Sequence, residues 1–222
     1  MRFGLPTLGS RTRGARGLVM SLSMLAVAWM LSGAAVAQVK IRFALDWRTD
    51  GQQAPFFLAA AKGYFKQEGL EVQFDTGAGS ALAVSRTAST AYDMGYGDMS
   101  ALIEFLGNNP DNPAARVQAV YIVADATPSA VYMLASSNIN KPADLVGRTL
   151  GAPVFDAGRK LFPIFARAQG IDPASVKWQS MDPALREQML ARNQVDGVTG
   201  FMPSGAITMG TLGVKEDALR IF

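Results

Sequence analysis

Apolar and polar positions along this chain follow two rhythms that take turns. Residues 39–45 (VKIRFAL) alternate with a period of two, which predicts a strand. Residues 55–67 then change to helical spacing behind a proline and stop near Gly69. The same exchange repeats: strands are expected at 70–74, 92–95 and 117–123, with helices at 80–90 and 99–106 between them. Residues 117–123 (VQAVYIV) read as a strand because they are β-branched and aromatic. A second set follows. Strands are expected at 130–135, 149–152, 176–179, 195–198 and 219–222. Helical segments are expected at 142–146, 157–169, 182–193 and 204–212. Alternation of this kind predicts an α/β protein with largely parallel sheets. The change of unit at 125–129 (DATPS) divides the chain into a lobe at 38–127 and a second at 128–222.

Before residue 38 the pattern is different. Arg2, Arg11, Arg13 and Arg16 form a basic stretch without acids, residues 18–31 are an apolar run, and Ala35-Val36-Ala37 has the small–x–small form. These are the three parts of a cleavable export signal spanning 1–37, with cleavage expected after Ala37 and the periplasm as destination. The alternative is a membrane anchor, but the run falls short of the roughly 20 residues that span a bilayer. No adjacent arginine pair signals the twin-arginine route.

Charge changes the picture little. The net charge of +3 arises in the leader, which holds four of the 21 basic residues and none of the 18 acidic ones. The remainder is close to neutral, so no nucleic-acid partner is expected. The absence of cysteine and histidine excludes much more. Disulfides, thiolate metal sites and a lipid-anchored cysteine are ruled out in this chain. So are Ser-His-Asp and Cys-His catalysis. No acidic cluster has calcium-loop spacing and no Walker-type phosphate loop occurs. No catalytic residue, metal or cofactor is therefore assigned.

In open α/β sheets, ligands bind beyond the carboxyl ends of strands, beside helix N-termini. The strand-to-helix joints are accordingly the candidate sites. The first, at 46–56, supplies Asp46 as an acceptor, Trp47 as a flat apolar face and Gln52. Its plain alternative is Trp47 packing between lobes while Asp46 caps the loop. The second is Thr76-Gly77-Ala78-Gly79-Ser80, where glycines permit close approach and a helix start can hold an anion. It reads equally as a tight turn with Ser80 as N-cap. The third brings Tyr96 towards the cleft, with Asp98 better read as a helix cap. The second lobe adds Phe155, Asp156 and Phe201, which also read individually as core or cap. Arg186, Glu187 and Arg192 are expected on a solvated helix face.

The segments ALDW (44–47), APFFLAAAKGYFKQEGLEV (54–72), TGAGSA (76–81), YDMGYGD (92–98), NKPADLVGRTLGAP (140–153) and QVDGVTGF (194–201) together carry a family resemblance. The chain resembles the substrate-binding proteins of ABC importers related to thiamine-pyrimidine-precursor, alkanesulfonate, taurine and nitrate binders. The resemblance implies the two-lobed fold of periplasmic binding proteins, with a small heteroaromatic or anionic ligand held between the lobes. It implies an ABC permease at the inner membrane as partner, and a monomer. Its pyrimidine-binding members match Trp47, suggesting an aromatic, nitrogen-containing ligand. Such proteins usually continue well beyond this length, so the second lobe and the return to the first are expected to be incomplete, with an unpaired sheet edge. Enzymes of the synthase branch use a histidine of their own chain, and this chain has none. The alternatives are a periplasmic sensor or partner-binding module of the same fold and, less favoured, a pyrimidine-precursor-synthase-like enzyme.

Overall fold

The computed structural model describes residues 1, 4, 38–112 and 117–222. The expected export signal lies outside the described residues apart from Met1 and Gly4. Among the described residues, no helix is long and apolar enough to cross a membrane.

Val39–Phe222 forms one compact unit built on two sheets. The first has the order β2-β1-β3, comprising β1 (Val39–Ala44), β2 (Leu70–Asp75) and β3 (Met94–Gly95), all parallel. Between them run α1 (Ala54–Ala61), α2 (Tyr64–Gln67) and α3 (Ser80–Ala88), and α4 (Met99–Asn108) follows. The single helix expected at 55–67 is broken in two. Gly63 takes a left-handed φ of 73° and restarts the chain as α2. Phe57 packs on the sheet, its ring centroid 5.3 Å from Phe74. Tyr64, the first residue after the break, is exposed.

The second sheet has the order β6-β5-β7-β4-β8. Its strands are β4 (Ser129–Leu134), β5 (Thr149–Ala152), β6 (Lys177–Ser180), β7 (Gly197–Phe201) and β8 (Leu219–Ile221). Three helices accompany them: α5 (Ala157–Ala168), α6 (Arg186–Ala191) and α7 (Met202–Thr211). β5 is parallel to β6 and β7, whereas β4 is antiparallel to both β7 and β8. One reversed strand in an otherwise parallel sheet refines the expectation of largely parallel pairing. β8 lies along β4, and Phe222 exchanges backbone hydrogen bonds of 2.8 and 3.0 Å with Val131.

The second sheet carries the denser core. Phe162 on α5 is buried with Leu150, Met133, Leu145 and Ile139, and its ring meets Trp178 edge-on at 5.3 Å. Tyr132, Val198, Leu190 and Met209 form a second buried group on the other side of the sheet.

The strand expected at 117–123 is absent. Val120 and Tyr121 are 71% and 81% exposed, in coil. β-branched residues favour a strand only where a neighbouring edge offers ladder hydrogen bonds and a face to pack on. This segment has no ladder partner among the described residues. The helix expected at 182–193 also shortens. Asp182 caps a turn through Ala184 N at 2.8 Å, and α6 begins only at Arg186.

Candidate functional site

The chain leaves β1 at Ala44 and turns at once, so Asp46 and Trp47 sit at the carboxyl end of a parallel strand. Asp50 and Gln53 close this loop with a capping box around a short 3₁₀ turn. That turn aims Gln53 Nε2 at Asp46 Oδ1, 3.4 Å away. Ser80 Oγ donates to Asp46 Oδ2 at 3.3 Å. Both bonds are long, and Asp46 is buried. Burial pushes its carboxyl up to about 7, with the bonds from Gln53 and Ser80 only partly opposing the rise.

On the facing side, Asp156 caps α5, accepting from Arg159 N and Thr199 Oγ1, each at 2.8 Å. Arg186 Nη1 reaches Asp156 Oδ2 at 3.3 Å. Its Nη2 and Nε hold Glu187 Oε1 at 2.6 and 2.8 Å. Tyr132, deep in the sheet, donates its hydroxyl to the same Glu187 oxygen at 2.8 Å. Burial works against the Arg186 charge, but Tyr132, Glu187 and Asp156 around it keep its pKa raised. Burial raises the Asp156 carboxyl, and Arg186 opposes that rise. The group is a desolvated ion cluster in which each charge has a partner.

These two sides meet around a cavity of about 20 Å³, lined by Asp46, Trp47, Gln52, Gly79, Ser80, Asp156, Ala157, Arg186, Phe201 and Ser204. Its walls therefore come from the ends of β1, β5 and β7, the 3₁₀ turn after β1 and the starts of α3, α5, α6 and α7. Gln52 bridges the two sides by donating to Ser204 Oγ at 2.8 Å. The Arg186 guanidinium lies 4.3 Å from the Trp47 ring centroid. A wider open cleft of about 1270 Å³ adjoins it, lined in part by Tyr96, Asp98 and residues 117–128.

Seven of the residues singled out from sequence thus line one cavity: Asp46, Trp47, Gln52, Gly79, Ser80, Asp156 and Phe201. Thr76, Gly77, Ala78 and Phe155 lie outside it. Tyr96 packs edge-on against Phe56 at 5.2 Å. Asp98 caps α4 through Ser100 N at 2.8 Å. The Phe155 ring is exposed, and its carbonyl instead accepts from Ala81 N across the cleft at 3.3 Å.

The glycine-rich turn is arranged differently from an anion cradle. Gly77 N donates to Trp47 O and Gly79 N to Asp46 O, at 3.3 and 2.7 Å. Gly79 is the N-cap of α3 with no side-chain cap bond, so Ser80 is not the expected cap. With the Ala81 bond, three N–H groups of this turn and helix start are already committed. Glycine is needed here because the turn touches its neighbours. A Cβ at Gly77 would meet Leu45 O at 2.2 Å, and one at Gly79 would meet Phe155 O at 2.0 Å.

The expectation that Arg186 and Glu187 are solvated is wrong: they are 2% and 1% exposed. Helical charge patterning cannot show which face a short helix turns inward. The burial of Asp156 and Glu187, which calls for a cation, is itself set by the fold, so the sequence offered no signal for it. Among the described residues, no group of three or more His, Cys, Asp or Glu is placed to hold a metal ion.

Residues 50–221 match the family model described as NMT1/THI5 like. The chain belongs to the NMT1/THI5-like family. A Haemophilus influenzae protein named for thiamine biosynthesis is 27% identical over 87% of this chain and 59% of its own length. A formylaminopyrimidine-binding protein of Halalkalibacterium halodurans is 26% identical over 70% of this chain and 46% of its own. The chain thus spans about half to three fifths of these family relatives. Among solved structures, the alkanesulfonate-binding protein of Xanthomonas axonopodis pv. citri, bound to MOPS, superimposes with a TM-score of 0.62. That match has 15% identity and covers 83% of this chain and 61% of the other. A Bordetella bronchiseptica protein gives 0.66 at 20% identity, covering 84% and 57%. At such identity these likenesses establish the fold, that of periplasmic substrate-binding proteins.

Proposed function

We propose that this family member is the periplasmic solute-binding component of an ABC importer and captures a planar amino-heteroaromatic molecule between two lobes, 38–127 and 128–222. The observation that carries this reading is the cavity where Asp46 and Trp47 face Asp156, Arg186, Phe201 and Ser204. It combines an aromatic face with an acceptor that has only long bonds of its own. The other cavity carboxylate, Asp156, is already engaged by Arg186, Arg159 and Thr199. Asp46 is thus the group that gains most from a ligand N–H. The committed amides of the glycine turn weigh against a ligand recognised by its anionic end. A cavity of about 20 Å³ has room for about one water and not for a ring, so binding requires the lobes to part and close again.

The formylaminopyrimidine-binding relative supports the ligand class. A relative named 4-amino-5-hydroxymethyl-2-methylpyrimidine phosphate synthase, 24% identical, points to enzymes in the same family. The absence of histidine favours binding over that chemistry. Thermal unfolding against a panel of aminopyrimidines, sulfonates and nitrate tests the reading. A ligand at a hundred times its Kd stabilises by about 2.7 kcal/mol. The expected result is a shift with an aminopyrimidine, lost in Trp47→Ala. A shift with sulfonates alone would overturn the ligand class.

A further inference from the structure

We propose that Trp47-Arg48 and Arg186-Glu187 form a two-part subsite for a ring bearing one uncharged group that both donates and accepts a hydrogen bond, such as a hydroxyl or a primary amide. This inference rests on the proposed function and refines its ligand class. Two adjacent residues after β1 face two adjacent residues at the start of α6. The Arg186 guanidinium lies 4.3 Å from the Trp47 ring centroid, and Arg48 Nη2 lies 3.7 Å from Glu187 Oε2.

The first pair suits the ring. Both residues are buried and line the cavity. All three Arg186 nitrogens donate to carboxylates, Nη1 to Asp156 and Nε and Nη2 to Glu187. A Cβ at Gly200 would fall 2.4 Å from Nη1, so the guanidinium is also packed against backbone. Arg186 therefore offers a fixed, flat cation, a surface on which rings stack. A ring about 3.5 Å from each partner would set Trp47 and Arg186 about 7 Å apart, so admitting it takes a parting of about 3 Å.

The second pair supplies the polar selection. Glu187 is buried, and its Oε1 accepts from Arg186 and Tyr132, whereas Oε2 makes no hydrogen bond. Arg48 Nε is likewise buried without a hydrogen bond. At 3.7 Å, the ion pair between these two side chains is too long to be one. One half thus presents a donor and the other an acceptor, both unpaired and both costly to leave so. A ligand group that donates to Glu187 Oε2 and accepts from Arg48 Nε satisfies both. An ionised carboxylate or sulfonate has no proton for Glu187, and an ammonium has no lone pair for Arg48.

Isothermal titration calorimetry with 4-aminopyrimidines carrying a carboxamide, an acetyl or an isopropyl group, placed in turn at each free ring carbon, tests the subsite. The acetyl group only accepts, and the isopropyl group does neither. At one ring position the carboxamide is expected to bind at least tenfold more tightly than both near-isosteres. Arg48→Met, at a partly exposed side chain, is expected to cut that preference below threefold. Lys160→Met, at the exposed Lys160–Glu104 pair, is expected to retain it. In Glu187→Gln the amide oxygen takes the place of Oε1 and an N–H that of Oε2, so the preference is expected to pass to the acetyl compound. Equal affinities at every position, or a carboxamide preference that survives Arg48→Met, would overturn the subsite and leave the ligand class standing. Absence of binding by every aminopyrimidine would overturn the ligand class, and the subsite with it.

Discussion

Asp46 is a carboxyl that the fold keeps near its titration point. The folded group titrates at about 7 against 3.8 for an unperturbed aspartate, because burial disfavours its charge. Between these values the folded chain retains a proton that the unfolded chain has released. The contribution to stability is therefore complete below about pH 4 and is lost as pH rises through 7. Asp46→Asn should remove this loss. The fall in melting temperature between pH 5 and pH 8, measured by calorimetry, is expected to be smaller in Asp46→Asn than in the parent. An equal fall in both would show that Asp46 is ionised throughout. Burial also raises the Asp156 carboxyl, but Arg186 beside it opposes that shift, and the comparison between the two proteins isolates Asp46.

At the scale of elements, the joint between β2 and α3 works through backbone rather than side chains. Gly79 has φ 139° and ψ 155°, a region essentially reserved for glycine. It also lies against the Phe155 carbonyl of the opposite half. Gly79→Ala is therefore expected to cost about 1–3 kcal/mol in backbone strain. It should also widen the cleft, read as a larger radius of gyration in solution scattering. A loss of stability without expansion would confine the effect to the turn. The extended segment 117–123 shows the opposite case. Its strand-like sequence was legible, yet without a ladder partner it remains in coil.

Across the whole molecule, order is unevenly distributed. The second sheet has two buried clusters on its faces, whereas α1 and α2 contribute no fully buried residue. Local opening is cheapest where few apolar contacts must be broken. Amide exchange should therefore be slowest at central positions such as Gly151, Val198 and Tyr132, and fastest across 117–128. Equal protection of 117–128 and β7 would show that the segment is docked in solution.

Much of the fold was open to reading from the sequence. The exchange of period two for period 3.6 marks most elements, because side-chain direction follows backbone geometry locally. The strand-to-helix joints followed from the same alternation, and with them Asp46, Trp47, Gly79, Asp156 and Phe201. Only the tertiary structure decided which joints share a cavity, leaving Thr76, Ala78 and Phe155 outside. It alone turned Arg186 and Glu187 inward and left 117–123 without a partner. Burial, ladder pairing and charge compensation all depend on neighbours distant in sequence, and local pattern carries no record of them.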